Sequence, residues 1–142
     1  PFMLYFGQEM GERGMQAEGF SGLDGRTSIF DWCSVPALQH PDKAVLKRYK
    51  EVLGMARMPV FREGKTFDLC YCQDGAFNPD RYFAWLRSDG KTSYLILANF
   101  GEEAEITVRI PPEALEYLDI KAVRTVYTIT VPSGDFQITG VF

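Results

Sequence analysis

The sequence predicts a mainly β fold: an antiparallel β-sandwich over residues 59–142, preceded by a strand, a long loop and a helix over residues 1–58. Three observations predict it. After Pro59, short runs of alternating polarity follow one another, separated by turn residues. Hydrophobic residues make up 46% of the chain and aromatic residues 14%, enough for a packed core rich in rings that suit pleated surfaces. Before Pro59 the pattern differs, with one apolar run, one glycine-rich stretch and one stripe at helical spacing.

The first of these is Met3-Leu4-Tyr5-Phe6, with Gly7 and Glu9 close behind. A run apolar on both faces reads as a central parallel strand, which needs parallel neighbours and covering helices. Nothing downstream supplies them, so the chain reads as the tail of a larger protein. Residues 8–40 then read as one loop, with Gly11, Gly14, Gly19, Gly22 and Gly25 and no sustained period. Loops of that length usually carry function. A helix follows over 41–57, with Pro41 at a first helical position, Asp42 in the first turn and Pro59 ending it. Val45, Leu46, Tyr49, Val52, Leu53 and Ala56 form its apolar stripe.

In the second half, Phe67, Leu69 and Tyr71 alternate with Asp68, Cys70 and Cys72, which predicts a strand. Tyr82–Ser88 and Thr92–Asn99 predict a hairpin around Asp89-Gly90. Glu105–Ile110 alternates again, and Pro111-Pro112-Glu113 starts a short turn or helix through Leu118. Lys121–Val131 reads as a strand, with Val123, Val126 and Ile129 among its apolar positions. Pro132–Asp135 reads as a turn and Phe136–Phe142 as a final strand.

Composition excludes some function classes. A net charge of −4 leaves no basic footprint for nucleic acid or for an anionic membrane. No apolar run approaches the length of a membrane span. The single histidine, His40, precludes a multi-histidine metal site within this chain, and three cysteines cannot all pair. Cys70 and Cys72 share one face of the expected strand and read as buried small hydrophobes rather than ligands.

Pro1-x-x-x-Tyr5-x-Gly7-x-Glu9 resembles the signature at the eighth barrel strand of glycoside hydrolase family 13, the alpha-amylase family. The glycine that usually precedes the proline would lie before the chain starts. Arg26-Thr27-Ser28-Ile29-Phe30-Asp31-Trp32 resembles the family's stretch in the following loop, with Ser28 in place of a proline. Arg62-Glu63-Gly64, Tyr82–Arg87 and Leu95–Phe100 resemble three motifs of its C-terminal β-domain, in order and at similar spacing. The resemblance implies that residues 1–58 are the last βα unit of a (β/α)8 barrel and that residues 59–142 are the C-terminal β-sandwich. That sandwich would lack the family's closing strand.

The resemblance also implies a parent enzyme that cleaves or transfers α-linked glucosyl groups with retention, acting on an α-glucan or malto-oligosaccharide. That chemistry needs two carboxyl groups roughly 5 Å apart. The matching positions lie upstream of Pro1, as does the family's calcium site, so no catalytic residue, cofactor or metal ligand is expected here. Substrate-adjacent candidates are Glu9 at the strand's rim, Arg26 as a multi-donor beside the cleft, and Trp32 as a stacking surface. Glu9 reads more simply as a structural carboxylate paired with a cation. Arg26 reads equally as loop scaffolding, and Trp32 reads more simply as a ring buried under the loop.

A non-catalytic carbohydrate-binding module is the competing class, carried by Tyr82, Phe83 and Trp85 on one strand. Alternation puts Phe83 and Trp85 on one face, and core packing is the expectation for them. A third class is a transporter-associated relative that keeps the fold without the acids. The unpartnered run Met3–Phe6 and the helical stripe further predict self-association of the isolated chain, or a poorly ordered segment 1–40.

Overall fold

The computed structural model describes residue 4, residues 7–11, 36–121 and 124–142. The chain divides into two compact units, Pro1–Ala56 and Arg57–Phe142. The expected first strand, residues 1–7, lies outside the described residues apart from Leu4 and Gly7, neither of which is in a strand, and loop segment 12–35 lies outside them too.

In the first unit, a 3-10 turn spans Gln8–Met10 between Gly7 and Gly11, both at positive φ. Helix α1 is a single turn, Pro36–Gln39, so the expected loop of residues 8–40 carries short helical pieces at both ends. Helix α2 spans Lys43–Ala56. It starts later than proline placement suggested, because Asp42 caps it from outside. The Asp42 Oδ1 accepts the Ala44 and Val45 amides at 2.9 and 3.1 Å, which satisfies donors that a first helical turn leaves free. The Asp42 amide in turn donates to the Met10 carbonyl at 2.9 Å and ties the helix start to the 3-10 turn. None of the α2 residues is buried. Pro59 does not terminate α2; it opens helix α3, Pro59–Arg62, at the position where its missing N–H costs nothing.

The second unit is mixed helix and sheet, with most of its regular secondary structure in two antiparallel sheets. Strands β1 (Lys65–Asp68), β2 (Tyr82–Ser88), β3 (Ser93–Asn99) and β6 (Asp135–Gly140) form one sheet in the order β1-β2-β3-β6. Strands β4 (Ala104–Arg109) and β5 (Val126–Val131) form the other. Helix α4, Pro112–Leu118, connects β4 towards β5.

The β2–β3 hairpin closes as the Asp-Gly signal predicts. Ser88 pairs with Ser93, and the Asp89 carboxylate accepts the Lys91 and Thr92 amides at 2.9 and 2.8 Å. Gly90 sits beyond it at φ 81°, a conformation that suits its lack of a Cβ.

Two expected strands are shorter than their alternation. The first stops at Asp68, whose carboxylate accepts the Cys70 amide at 2.8 Å and turns the chain into a 3-10 helix, Cys70–Cys72. The second begins at Val126 instead of Lys121, and Val123 lies outside the described residues.

The core lies between the sheets. Ala84, Leu86, Leu95 and Leu97 from the first sheet meet Ile106, Val108, Tyr127 and Val131 from the second, with Leu69, Phe77, Ala114 and Leu118 closing the ends. Burial of this size is the main stabilising term, at roughly 1.5–3 kcal/mol per large side chain.

Candidate functional site

Strand β2 is apolar at five consecutive positions, Tyr82 to Leu86, so period two alone leaves its inward face open. The structure places Ala84, Leu86 and Ser88 inward, all buried, and Tyr82 packs against the same core. Phe83 and Trp85 therefore point the other way, and the expectation that they are core is corrected. Phe83 is 45% exposed and Trp85 half-buried. The physical reason is pairing. Leu86 and Ala84 lie opposite Leu95 and Leu97, whose inward side chains meet the second sheet. A charged residue marks the outer face in the sequence, because Arg87 shares its parity with Phe83 and Trp85.

The outer face of the four-stranded sheet is consequently apolar. The Phe83 and Trp85 rings lie 5.0 Å apart with a 48° tilt. Trp85 pairs in register with Ile96 on one side and with Asp68 on the other. Ile96 is buried although it faces outward, and Ile138 pairs with it on its far side. A ring pair with a carboxylate at its rim can lie against the apolar face of a sugar while accepting a hydroxyl. The rings are tilted, so they form a shallow corner instead of a flat platform.

At one end of this face sits α3. Arg87 Nε donates to the Val60 carbonyl at 3.1 Å, and its other nitrogens donate to the Phe61 carbonyl and the Thr66 hydroxyl. Phe61 stacks on Tyr94 at 5.7 Å. Gly64 lies where a Cβ would meet the Val60 and Ser88 carbonyl oxygens, the latter at 2.7 Å. The guanidinium is thus committed to holding α3 and is not offered to a ligand.

An open cleft of about 540 Å³ lies nearby, lined by Glu63, Lys65, Ser88, Asp89, Lys91 and Asp119 among others. Several of its polar groups serve the fold. The Ser88 hydroxyl donates to the Leu118 carbonyl at 3.3 Å and accepts from the Gly90 amide and the Ser93 hydroxyl. Among the described residues, no base hydrogen-bonds to it. Lys65 reaches the Tyr117 carbonyl at 3.4 Å and lies over that ring. The amides of Thr92 and Lys91 hold the Asp89 carboxyl below its usual range.

Cys70 and Cys72 do not share a strand face, since both stand in the 3-10 helix, and both are half-buried. Cys72 bonds the Leu69 carbonyl at 3.1 Å, and Cys70 exchanges contacts with the Ala84 backbone. Burial pushes both thiols above their ordinary range. Among the described residues, no group of His, Cys, Asp and Glu is placed to hold a metal ion. Among them, too, no helix is long and apolar enough to cross a membrane.

Of the predicted substrate-adjacent residues, Glu9 lies in the 3-10 turn Gln8–Met10 and is half-buried. No ion pair joins it to a cation among the described residues. Arg26 and Trp32 lie outside the described residues, as does Cys33. His40 is exposed between α1 and α2. Sequence reasoning missed the Asp68–Trp85 neighbourhood, which depends on strand register between segments separated by a loop and a 3-10 helix. No protein-family model, no curated protein and no solved structure matches this chain.

Proposed function

We propose that this chain is the C-terminal portion of a retaining, α-glucan-active glycoside hydrolase of the alpha-amylase or α-glucosidase type. Its β-rich unit braces a catalytic barrel, and the barrel's acids lie on residues before Pro1. The observation that carries this reading is where the residues of the resemblance fall. Three of them, Gly64, Arg87 and Asn99, stand at joints of the β-rich unit. Gly64 has no room for a side chain between Val60 and Ser88. Arg87 fastens α3 to the sheet through two carbonyls. Asn99 bonds the Val131 carbonyl of the other sheet.

The test is to sequence the native polypeptide upstream of Pro1 and to assay it on maltoheptaose, following the product anomer by NMR. A repeated βα pattern ending in carboxylates, with α-retained products, supports the reading. A barrel without those acids points to a non-catalytic relative. The absence of a barrel rejects it.

A second reading, a carbohydrate-binding module, is favoured by one observation, the outward-facing pair Phe83 and Trp85 beside Asp68. Affinity electrophoresis in soluble starch tests it. Retardation of the 142-residue chain that is lost in Trp85→Ala supports sugar binding at this face; equal mobility with and without starch rejects it.

A further inference from the structure

Phe67 pairs in register with Leu86 and packs on the core, whereas its neighbour Asp68 pairs with Trp85 on the outer face. Rings gathered around Phe67 therefore stand on the other side of β1 from Phe83 and Trp85. Two tyrosines do so. Tyr71, in the 3-10 helix Cys70–Cys72, and Tyr117, in α4, lie with ring centroids 6.1 and 6.0 Å from that of Phe67. Had β1 continued, Tyr71 would share the inward parity of Phe67 and Leu69; the turn at Asp68 releases it to the surface. Phe67 is held by the core, while Tyr71 is 68% and Tyr117 53% exposed. Among the described residues, no ring contact joins the two tyrosines to each other.

The polar groups beside these rings have capacity to spare. Glu113 lies four residues before Tyr117 on α4, so the two share a face. Lys65 Nζ stands 5.2 Å from the centre of the Tyr117 ring and donates to the Tyr117 carbonyl at 3.4 Å, which leaves the ammonium with further donors. Among the described residues, no hydrogen bond or ion pair engages the Glu113 carboxylate or either phenol hydroxyl. Lys65 also lines the open cleft of about 540 Å³, so rings and cleft meet at one side chain. A cationic ligand would meet Lys65 and an anionic one Glu113. A neutral ligand with an apolar face and many hydroxyls suits both, because the rings take its C–H face while Glu113 accepts and Lys65 donates. That is the chemistry of a sugar.

We propose that Tyr71 and Tyr117 form a binding site for a neutral oligosaccharide, with Glu113 and Lys65 as its hydroxyl partners. Each tyrosine takes a separate sugar of the chain, since the rings do not touch. The choice of an α-glucan as that chain rests on the function proposed above.

The test follows amide correlation spectra of the isotope-labelled 142-residue chain during titration with maltoheptaose. The expected shifts centre on Tyr71 and Tyr117, and glucose at equal concentration gives smaller ones. Tyr71→Ala weakens binding by roughly tenfold, and Tyr71→Phe, which keeps the ring, retains most of it. Glu113→Ala, at an exposed helix position, weakens it several-fold and serves if the Tyr71 variant loses its dispersed spectrum. Shifts centred on Phe83 and Trp85 overturn the proposal in favour of the outer face. The absence of shifts at millimolar maltoheptaose overturns sugar binding at both places, while the barrel reading still turns on the residues upstream of Pro1. Equal shifts by glucose overturn the two-ring site. Shifts at Tyr71 and Tyr117 that follow protein concentration without sugar assign the patch to a second copy and overturn the proposal.

Discussion

The side-chain amide of Asn99 donates to the Val131 carbonyl at 3.0 Å, and this bond crosses from the four-stranded sheet to the two-stranded one. Asn99 is buried, and its remaining groups are also used. The same nitrogen donates to the Glu102 carbonyl at 2.6 Å, and Oδ1 accepts the Gly101 amide at 2.8 Å. A single side chain thereby sets the separation of β3 from β5 and shapes the turn that leaves β3.

Asn99→Ala leaves two carbonyls and one amide without this partner in a buried setting. A loss of about 3 kcal/mol is expected, read by urea denaturation. Asn99→Asp is more informative. Its carboxylate would face two carbonyl oxygens, so protonation is favoured in the folded state. The variant's deficit relative to the parent shrinks as pH falls. A deficit independent of pH would remove Asn99 from the sheet-to-sheet role.

Gly64→Ala tests close approach instead of hydrogen bonding. The new Cβ meets the Val60 and Ser88 carbonyl oxygens, and both are backbone atoms that cannot swing aside. The expected loss is about 2–3 kcal/mol in a denaturation midpoint, from overpacking. Gly75→Ala, with nothing within 4 Å of its Cβ, is the matched control and leaves the midpoint unchanged or slightly raised.

Asp89 carries a pH signature. Hydrogen bonds from the Thr92 and Lys91 amides lower its pKa from 3.8, so the carboxylate is the form the folded state prefers. A depressed folded value stabilises above the unfolded value and loses that contribution as pH falls through it. Asp89→Ala should melt below the parent at neutral pH, and the gap should close in acid. A gap that persists in acid would assign the loss to turn conformation alone.

The thiols titrate in the opposite sense. Burial is the largest cause raising Cys70 and Cys72 above 9.0, so both stay protonated at neutral pH. Iodoacetamide should label them more slowly than a free cysteine peptide, read by peptide mapping. A raised folded value contributes stability below the unfolded value and loses it as pH rises through the folded one. Stability should therefore decline above pH 9.0, and less so in the Cys70→Ala, Cys72→Ala double variant. Fast labelling at neutral pH would contradict this burial.

Residues close in sequence settled much of the fold by themselves. The Asp89-Gly90 turn placed the hairpin and β2 spans Tyr82–Ser88 as expected, because a turn needs only its own carboxylate and amides. The apolar stripe of α2 was likewise readable from helical spacing, although its start depended on an Asp42 cap. Tertiary structure decided what local pattern left degenerate. With apolar residues on both faces of β2, only pairing with β3 and packing on β4 and β5 turned Ala84 and Leu86 inward and Phe83 and Trp85 outward. Register likewise brought Asp68 beside Trp85, since strand pairing joins segments that no local period connects.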